Sequence, residues 1–132
     1  MMEKIKFSWN DFDLAVSKLS KDLEPVVPFV KNIYAIPRGG LVLAVALSHR
    51  INKPLIFDKK KIRKDTLIVD DISHTGQTFT KLLKDKEYLR TITLISKSSS
   101  NFQPTYTYLL DDTDVWTVFP YETDESSKYD NL

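Results

Sequence analysis

Leu67-Ile68-Val69-Asp70-Asp71-Ile72-Ser73-His74-Thr75-Gly76-Gln77-Thr78 is the stretch whose reading decides the fold. An apolar run ends in two adjacent acids, and a small polar loop then opens into a helical pattern. That order places two carboxylates and a glycine-bearing loop at one end of one strand. Glycine usage sharpens the signal. A chain of this length would hold about nine glycines at average usage, and this one has three: Gly39, Gly40 and Gly76. Gly76 lies in the quoted stretch, and the other two form a second candidate ligand loop.

Outward from that stretch, strand and helix patterns alternate. Phe12, Ala15, Val16, Leu19 and Leu23 share one stripe at helical spacing and predict a helix over 9–23. Ser8 or Asn10 can cap it, and Pro25 and Pro28 stop it. Residues 32–36 are a short run of β-formers ended by Pro37-Arg38-Gly39-Gly40. Residues 41–50 are nearly all apolar and read as a buried helix, with His49 inside it as a structural residue. Strands are expected at 54–57, 66–70, 91–95, 105–110 and 115–119, with a helix over 78–88 carrying Phe79, Leu82 and Leu83. Residues 98–101 are a loop. Alternation of this kind predicts an α/β fold: one domain over 1–122 with a mostly parallel sheet flanked by helices. Residues 123–132 are polar and read as a loose tail. In parallel sheets, ligands bind at the carboxyl ends of the strands. Both glycine loops follow strands directly, so they open on the same edge.

Composition narrows the function classes. The chain has 132 residues, enough to bury a core without staples. A net charge of +1 gives no support to a nucleic-acid or membrane-surface partner. There is no cysteine, which removes disulfides and thiolate metal sites. No secretory signal and no window of about 20 apolar residues is visible, so a soluble cytoplasmic protein is expected.

Asp70 and Asp71 repel each other unless hydroxyls, a cation or a metal-bound ligand satisfies them. A vicinal diol suits them, because ionised carboxylates accept and a diol donates twice. Alone, the pair would more often be a solvated acidic turn or a helix cap. The loop that follows decides between these readings. Thr75-Gly76-Gln77-Thr78 precedes a helix whose first N–H groups and dipole favour an anion, and a phosphate is the natural ligand. The Gly-x-x-x-x-Gly-Lys pattern is missing, so this is not a nucleoside-triphosphate loop.

Residues 67–78 resemble the ribose-phosphate signature of the type I phosphoribosyltransferases: an apolar strand, two acids, then Thr-Gly and a hydroxyl residue. Tyr34-Ala35-Ile36-Pro37-Arg38-Gly39-Gly40-Leu41-Val42 is similar to the pyrophosphate loop of the bacterial xanthine–guanine branch. Lys97 follows the fourth strand, where purine members carry a lysine. Asp114-Val115-Trp116-Thr117-Val118-Phe119-Pro120-Tyr121-Glu122 resembles that branch's purine-binding segment, and Phe7-Ser8-Trp9-Asn10 its opening. The likeness runs in order over about residues 5–122.

The resemblance implies transfer of ribose 5-phosphate from phosphoribosyl pyrophosphate to a 6-oxopurine, with Mg²⁺ and release of pyrophosphate. Asp70 and Asp71 would hold the ribose hydroxyls, directly or through the metal shell. Ser73, His74, Thr75, Gly76, Gln77 and Thr78 would form the 5-phosphate loop. Arg38, Gly39 and Gly40 would receive pyrophosphate through backbone N–H groups and a guanidinium, beside a cis peptide before Arg38. Lys97 would donate to the purine O6, Trp116 would stack on the base, backbone at Thr117 would read its edge, and Glu122 would assist at longer range. A dimer or tetramer is implied.

Two departures from the family pattern matter. Three residues after the second acid, the family commonly has another acid that handles a proton on the purine; here the residue is His74, which can act as a base. The long closing loop of related enzymes is replaced by residues 58–65, with the basic cluster Lys59, Lys60, Lys61, Arg63 and Lys64. Both features suit a rival reading, a sensor that binds a sugar phosphate or nucleotide without turnover. A third reading, an enzyme on the same scaffold that only hydrolyses phosphoribosyl pyrophosphate or uses another nucleophile, is opposed by Lys97 and Trp116.

Overall fold

A strand buried at every position needs helices over both faces of its sheet. Thr66–Val69 (β4) meets that condition: all four residues are buried. The computed structural model describes residues 4–123; the expected tail beyond 123 lies outside the described residues. In chain order the remaining elements are Lys4–Lys6 (β1), Trp9–Leu23 (α1), Asn32–Ala35 (β2), Gly40–Ile51 (α2), Leu55–Ile56 (β3), Ile72–Ser73 (β5), Gln77–Leu83 (α3), Arg90–Lys97 (β6), Tyr106–Asp111 (β7) and Trp116–Val118 (β8). The main sheet runs β3-β2-β4-β6, with β5 and β7 both on β6, and every pairing is parallel. A separate parallel pair joins β1 to β8.

The period of two along β2 and β4 divides the core. Ile33, Ala35, Leu67 and Val69 face α1 and α2, whose stripe of Phe12, Ala15, Val16, Leu19 and Leu23 is buried as expected. Tyr34, Ile36 and Ile68 face the other side, against Phe79 and Leu83 of α3. Ser8 caps α1 through a reciprocal pair with Asp11. Pro25 and Pro28 end the α-helical hydrogen bonding, and the chain continues as a 3-10 helix over Glu24–Phe29.

Three expectations change. The helix expected over 78–88 ends at Leu83, because Lys84-Asp85-Lys86-Glu87 offers no apolar residue to bury. The helix at 41–50 is buried on one face only, through Gly40, Leu43, Ala44, Leu47 and Ile51. His49 lies on the opposite face and is exposed, so its reading as a buried structural residue is corrected.

Candidate active site

The acid pair sits where the sheet ladder breaks. β4 pairs with β6 up to Val69 and β5 resumes on the same strand at Ile72. Between them the Asp70 N–H donates to the Ile92 carbonyl at 3.1 Å, and the Asp71 carbonyl accepts from both Leu94 and Ile95, at 3.0 and 3.1 Å. In an unbroken strand adjacent side chains face opposite sides. Here both carboxylates line the same cleft, and both residues are buried, at 8% and 6% exposure. Asp70 Oδ1 accepts from the Asp71 N–H at 2.8 Å, and Asp71 Oδ2 accepts from the Tyr121 hydroxyl at 3.2 Å.

The cleft has a volume of about 190 Å³. It gathers most of the residues singled out in the sequence, among them Gly39, Asp70, Asp71, Ser73, His74 and Gly76. Thr78, Lys97, Trp116, Thr117 and Glu122 complete its wall. Arg38, Gly40, Thr75 and Gln77 are outside its lining. Arg38 is exposed and sits between Pro37 and Gly39, which do line it, across a Pro37–Arg38 peptide that is cis.

The two glycines of the first loop do different work. A Cβ on Gly39 would fall 2.5 Å from Asp71 Oδ2, so this residue lets the loop lie against the acid. A Cβ on Gly40 would fall 2.5 Å from the Val69 carbonyl oxygen, so Gly40 seats α2 on β4. The Gly40 N–H donates to the Ile36 carbonyl at 2.9 Å. The expectation that Gly40 offers this N–H to pyrophosphate is therefore corrected: the group is spent within the chain.

Ser73 is corrected in the same way. Its hydroxyl donates to the Phe102 carbonyl and shares a hydrogen bond with Ser100, both at 2.8 Å. It anchors the acid-bearing segment to the 100–102 loop, which stacks Phe102 on Phe79 at 4.7 Å. Gly76 has φ +92° and a Cβ there would meet the Phe102 nitrogen at 2.5 Å, so both conformation and space demand glycine. The Thr75 hydroxyl accepts from the Gln77 N–H at 3.3 Å and shapes the turn into α3.

Lys97, Trp116 and His74 also line the cleft. The His74 and Trp116 rings meet edge to face at 5.7 Å and 76°. Lys97 is buried and its ammonium donates to Asp111 Oδ2 at 2.6 Å, to Val115 O at 2.7 Å and to Thr113 O at 3.0 Å. All three of its N–H groups are occupied. Hydrogen bonds from Lys97 first, then from Thr113, hold the Asp111 carboxyl at about 2. Burial, then the Asp71 carboxylate, push the Tyr121 phenol up.

Beside this cleft a more open recess of about 700 Å³ shares Pro37 and Thr78 with it, and has Lys59, Gln77 and Lys81 on its wall. Of the basic cluster, only Lys59 lines it among the described residues; the Arg63 guanidinium donates to the Lys60 and Ile62 carbonyls at 2.9 Å, and Lys64 pairs with Glu87. Sequence reading gave no separate role to Tyr121 and no role to Asp111. Each acts on a residue 50 or 14 positions away, and no local pattern marks such a pairing.

No protein-family model matches the sequence, and no curated protein matches it. Solved structures do. A purine phosphoribosyltransferase from Pyrococcus horikoshii superposes with TM-score 0.76 at 29% identity, over 92% of this chain and 95% of its own. A xanthine-guanine-hypoxanthine phosphoribosyltransferase from Helicobacter pylori gives 0.75 at 21% identity, over 90% and 92%. A hypothetical protein from Neisseria gonorrhoeae with bound ppGpp gives 0.74 at 16%, over 97% and 94%. At their lower identities the last two speak for the fold alone. The likeness to the Pyrococcus enzyme spans nearly the whole of both chains, and the acid pair stands where the central β4–β6 ladder breaks; this chain has the fold of the type I phosphoribosyltransferases and is similar to an enzyme of that kind.

Proposed function

We propose that this protein transfers ribose 5-phosphate from phosphoribosyl pyrophosphate to a 6-oxopurine, guanine, xanthine or hypoxanthine, as in the bacterial xanthine–guanine branch. One observation carries the reading: the two acids at the strand break share a single cleft with Gly76 of the following loop and with Trp116 and Lys97. A sugar held at its hydroxyls by Asp70 and Asp71 would direct its phosphate to the 74–78 loop and its anomeric carbon toward the Trp116 end.

In the reaction the bond from the anomeric carbon to the pyrophosphate oxygen breaks, and a bond to a purine nitrogen forms. That nitrogen loses its proton, and pyrophosphate carries away the electron pair. The transition state resembles an oxocarbenium ion, so acceleration comes from orienting the reactants and stabilising charge. Asp70 and Asp71 would hold the hydroxyls and lend negative charge close to the cationic carbon. His74, at the cleft wall beside Trp116, would accept the purine proton. Pyrophosphate would leave past Arg38 and the Gly39 N–H into the recess at Pro37, where Lys59 and Lys81 stand. Trp116 would stack on the base and the Thr117 backbone would read its edge. The purine O6 would meet Lys97 by replacing one of its bonds, the 3.0 Å contact to Thr113 O being the longest.

Mg²⁺ fits this donor set in a restricted way. Among the described residues no three His, Asp or Glu side chains converge to hold an ion. Two buried carboxylates with oxygen donors only match an ion that keeps substrate and water oxygens as most of its ligands. Asp70 and Asp71 would hold it indirectly, through the substrate or water, and it would supply neutralisation of the pyrophosphate charge.

The test is to incubate the protein with Mg²⁺, phosphoribosyl pyrophosphate and each purine in turn, and to follow nucleotide formation. Product with at least one base is expected. Tight ligand binding with no product from any of the three overturns the enzyme reading in favour of the sensor. The short 58–65 connection, which holds one 3-10 turn at Lys59–Lys61, is the observation on the sensor's side. Cover for the cleft would then have to come from a neighbouring subunit, and the reading accordingly extends to a dimer or tetramer.

A further inference from the structure

We propose that Asp111 is a positioning residue for the base: acting through Lys97, it fixes the 111–115 turn and so sets where Trp116 stands in the cleft. The proposal rests on the reading of that cleft as a purine site. Lys97 and Asp111 lie directly opposite each other where β6 pairs with β7. Lys97 is 4% exposed, and its ammonium spends its three donors on Asp111, Thr113 and Val115. The other carboxylate oxygen, Asp111 Oδ1, accepts from the Thr113 N–H at 3.0 Å and from the Thr113 hydroxyl at 2.7 Å. The Val115 N–H closes the turn on that same hydroxyl at 3.3 Å. The segment from 111 to 115 is thus wound around one buried cation whose charge one carboxylate balances.

The next residue is Trp116. It is 38% exposed, and its only ring partner among the described residues is His74. Its placement also follows from the backbone that delivers it: the 111–115 turn leads into β8, where Trp116 pairs with Lys4 of β1. Three charge-assisted bonds to one ammonium are stronger and more directional than the neutral contacts of an ordinary surface turn. The same geometry limits what Lys97 gives a ligand. An oxygen that approaches the ammonium has to displace one of three existing acceptors, and the base therefore competes with the turn.

The experiment uses Asp111→Asn and Thr113→Val in the full chain. Asp111→Asn keeps the shape but removes the charge that balances Lys97. Thr113→Val removes only the hydroxyl, leaves the ion pair intact, and serves if the first variant folds poorly. Expected is a rise in KM for the purine of about tenfold in Asp111→Asn and about threefold in Thr113→Val, with KM for phosphoribosyl pyrophosphate changed less than about twofold. Equal changes in both KM values, or no change in either, overturn the proposal, because a general loss of stability would not distinguish the two substrates. A second readout needs no turnover. The chain has two tryptophans, so Trp9→Phe leaves Trp116 as the only indole. In that background, without ligand, Asp111→Asn should shift Trp116 emission to the red and lower its anisotropy; unchanged emission and anisotropy overturn the proposal. If the parent protein makes no nucleotide, the functional reading fails, and the emission experiment still decides whether Asp111 places Trp116.

Discussion

Alanine at Gly39 and at Gly40 adds the same methyl group one residue apart, and the structure predicts two different failures. At Gly40 the new Cβ lies 2.5 Å from the Val69 carbonyl oxygen and 3.0 Å from the Asp70 Cα. Both are backbone atoms of a strand paired on two sides, so the helix and the strand must separate. Overpacking of this kind costs about 1–3 kcal/mol, and the better helix propensity of alanine returns up to about 1 kcal/mol. The net loss of about 1–2 kcal/mol lowers Tm by roughly 4–8 °C in a chain of this size. At Gly39 the obstacle is the Asp71 carboxylate, with Oδ2 at 2.5 Å and Oδ1 at 2.9 Å. A side chain can rotate away, so folding suffers less, but Asp71 then leaves the place from which it is proposed to hold the sugar. A hydrogen bond to a charged group contributes about 1.5–3 kcal/mol, which weakens phosphoribosyl pyrophosphate by about 10- to 150-fold. Thermal melting by circular dichroism and calorimetric titration with Mg²⁺ and phosphoribosyl pyrophosphate, without base, separate the two effects. Gly39→Ala that binds as tightly as the parent would show that the Asp71 carboxylate does not hold the sugar. Gly40→Ala with an unchanged melting curve would refute the packing argument.

Three further outcomes follow from the same geometry. His74→Ala should lower kcat by about 10²- to 10⁴-fold, the range for a general base, with phosphoribosyl pyrophosphate affinity nearly unchanged; an unaltered kcat removes His74 from the chemistry. Tyr121→Phe deletes the donor to Asp71 Oδ2 while keeping the ring against Phe119 and Phe12. It should weaken binding of the sugar phosphate, and equal affinity in titration would mean that the 3.2 Å contact does not orient the acid. The pH dependence of melting should fall off on both sides. Asp111 titrates at about 2 in the fold against 3.8 when free, so its contribution is complete above about pH 4 and disappears as pH falls toward 2. Tyr121 is raised in the fold, so its contribution holds below the ordinary phenol value near 10 and is lost as pH rises beyond it. Asp111→Asn should flatten the acid limb of Tm against pH between about 2 and 4, and an identical limb contradicts the assignment.

Much of the fold was legible because it rests on local periodicity. The stripe from Phe12 to Leu23 and the apolar run before Asp70 each carry their own signal, and both elements form where those signals lie. β1 and β5 carry none. They are three and two residues long, and only pairing with β8 and β6 makes them strands. The site divides in the same way. Asp70, Asp71 and Gly76 are contiguous with the strand that places them, so sequence could find them. The hydroxyl of Ser73 and the N–H of Gly40 look available in the sequence, but are consumed by Phe102, Ser100 and Ile36, partners that only the folded chain supplies.

The two ends of the cleft are held by different means, and this bears on how the enzyme tolerates change. The part proposed to bind the sugar is fixed by backbone: a broken ladder at Asp70 and Asp71, two glycines in steric contact with β4 and the acid that follows it, and a third at positive φ. Substitution there moves main chain or a buried carboxylate, so it costs folding or all sugar binding. The part proposed to bind the base hangs on one buried ammonium and the side chains and carbonyls around it. These bonds can be exchanged one at a time without disturbing the sheet. The preference among purines is therefore expected to vary through residues 111–117, while the requirement for a ribose phosphate stays with residues 70–78. A survey of substitutions should show this as separable changes in the two KM values at the base end, and joint losses at the sugar end.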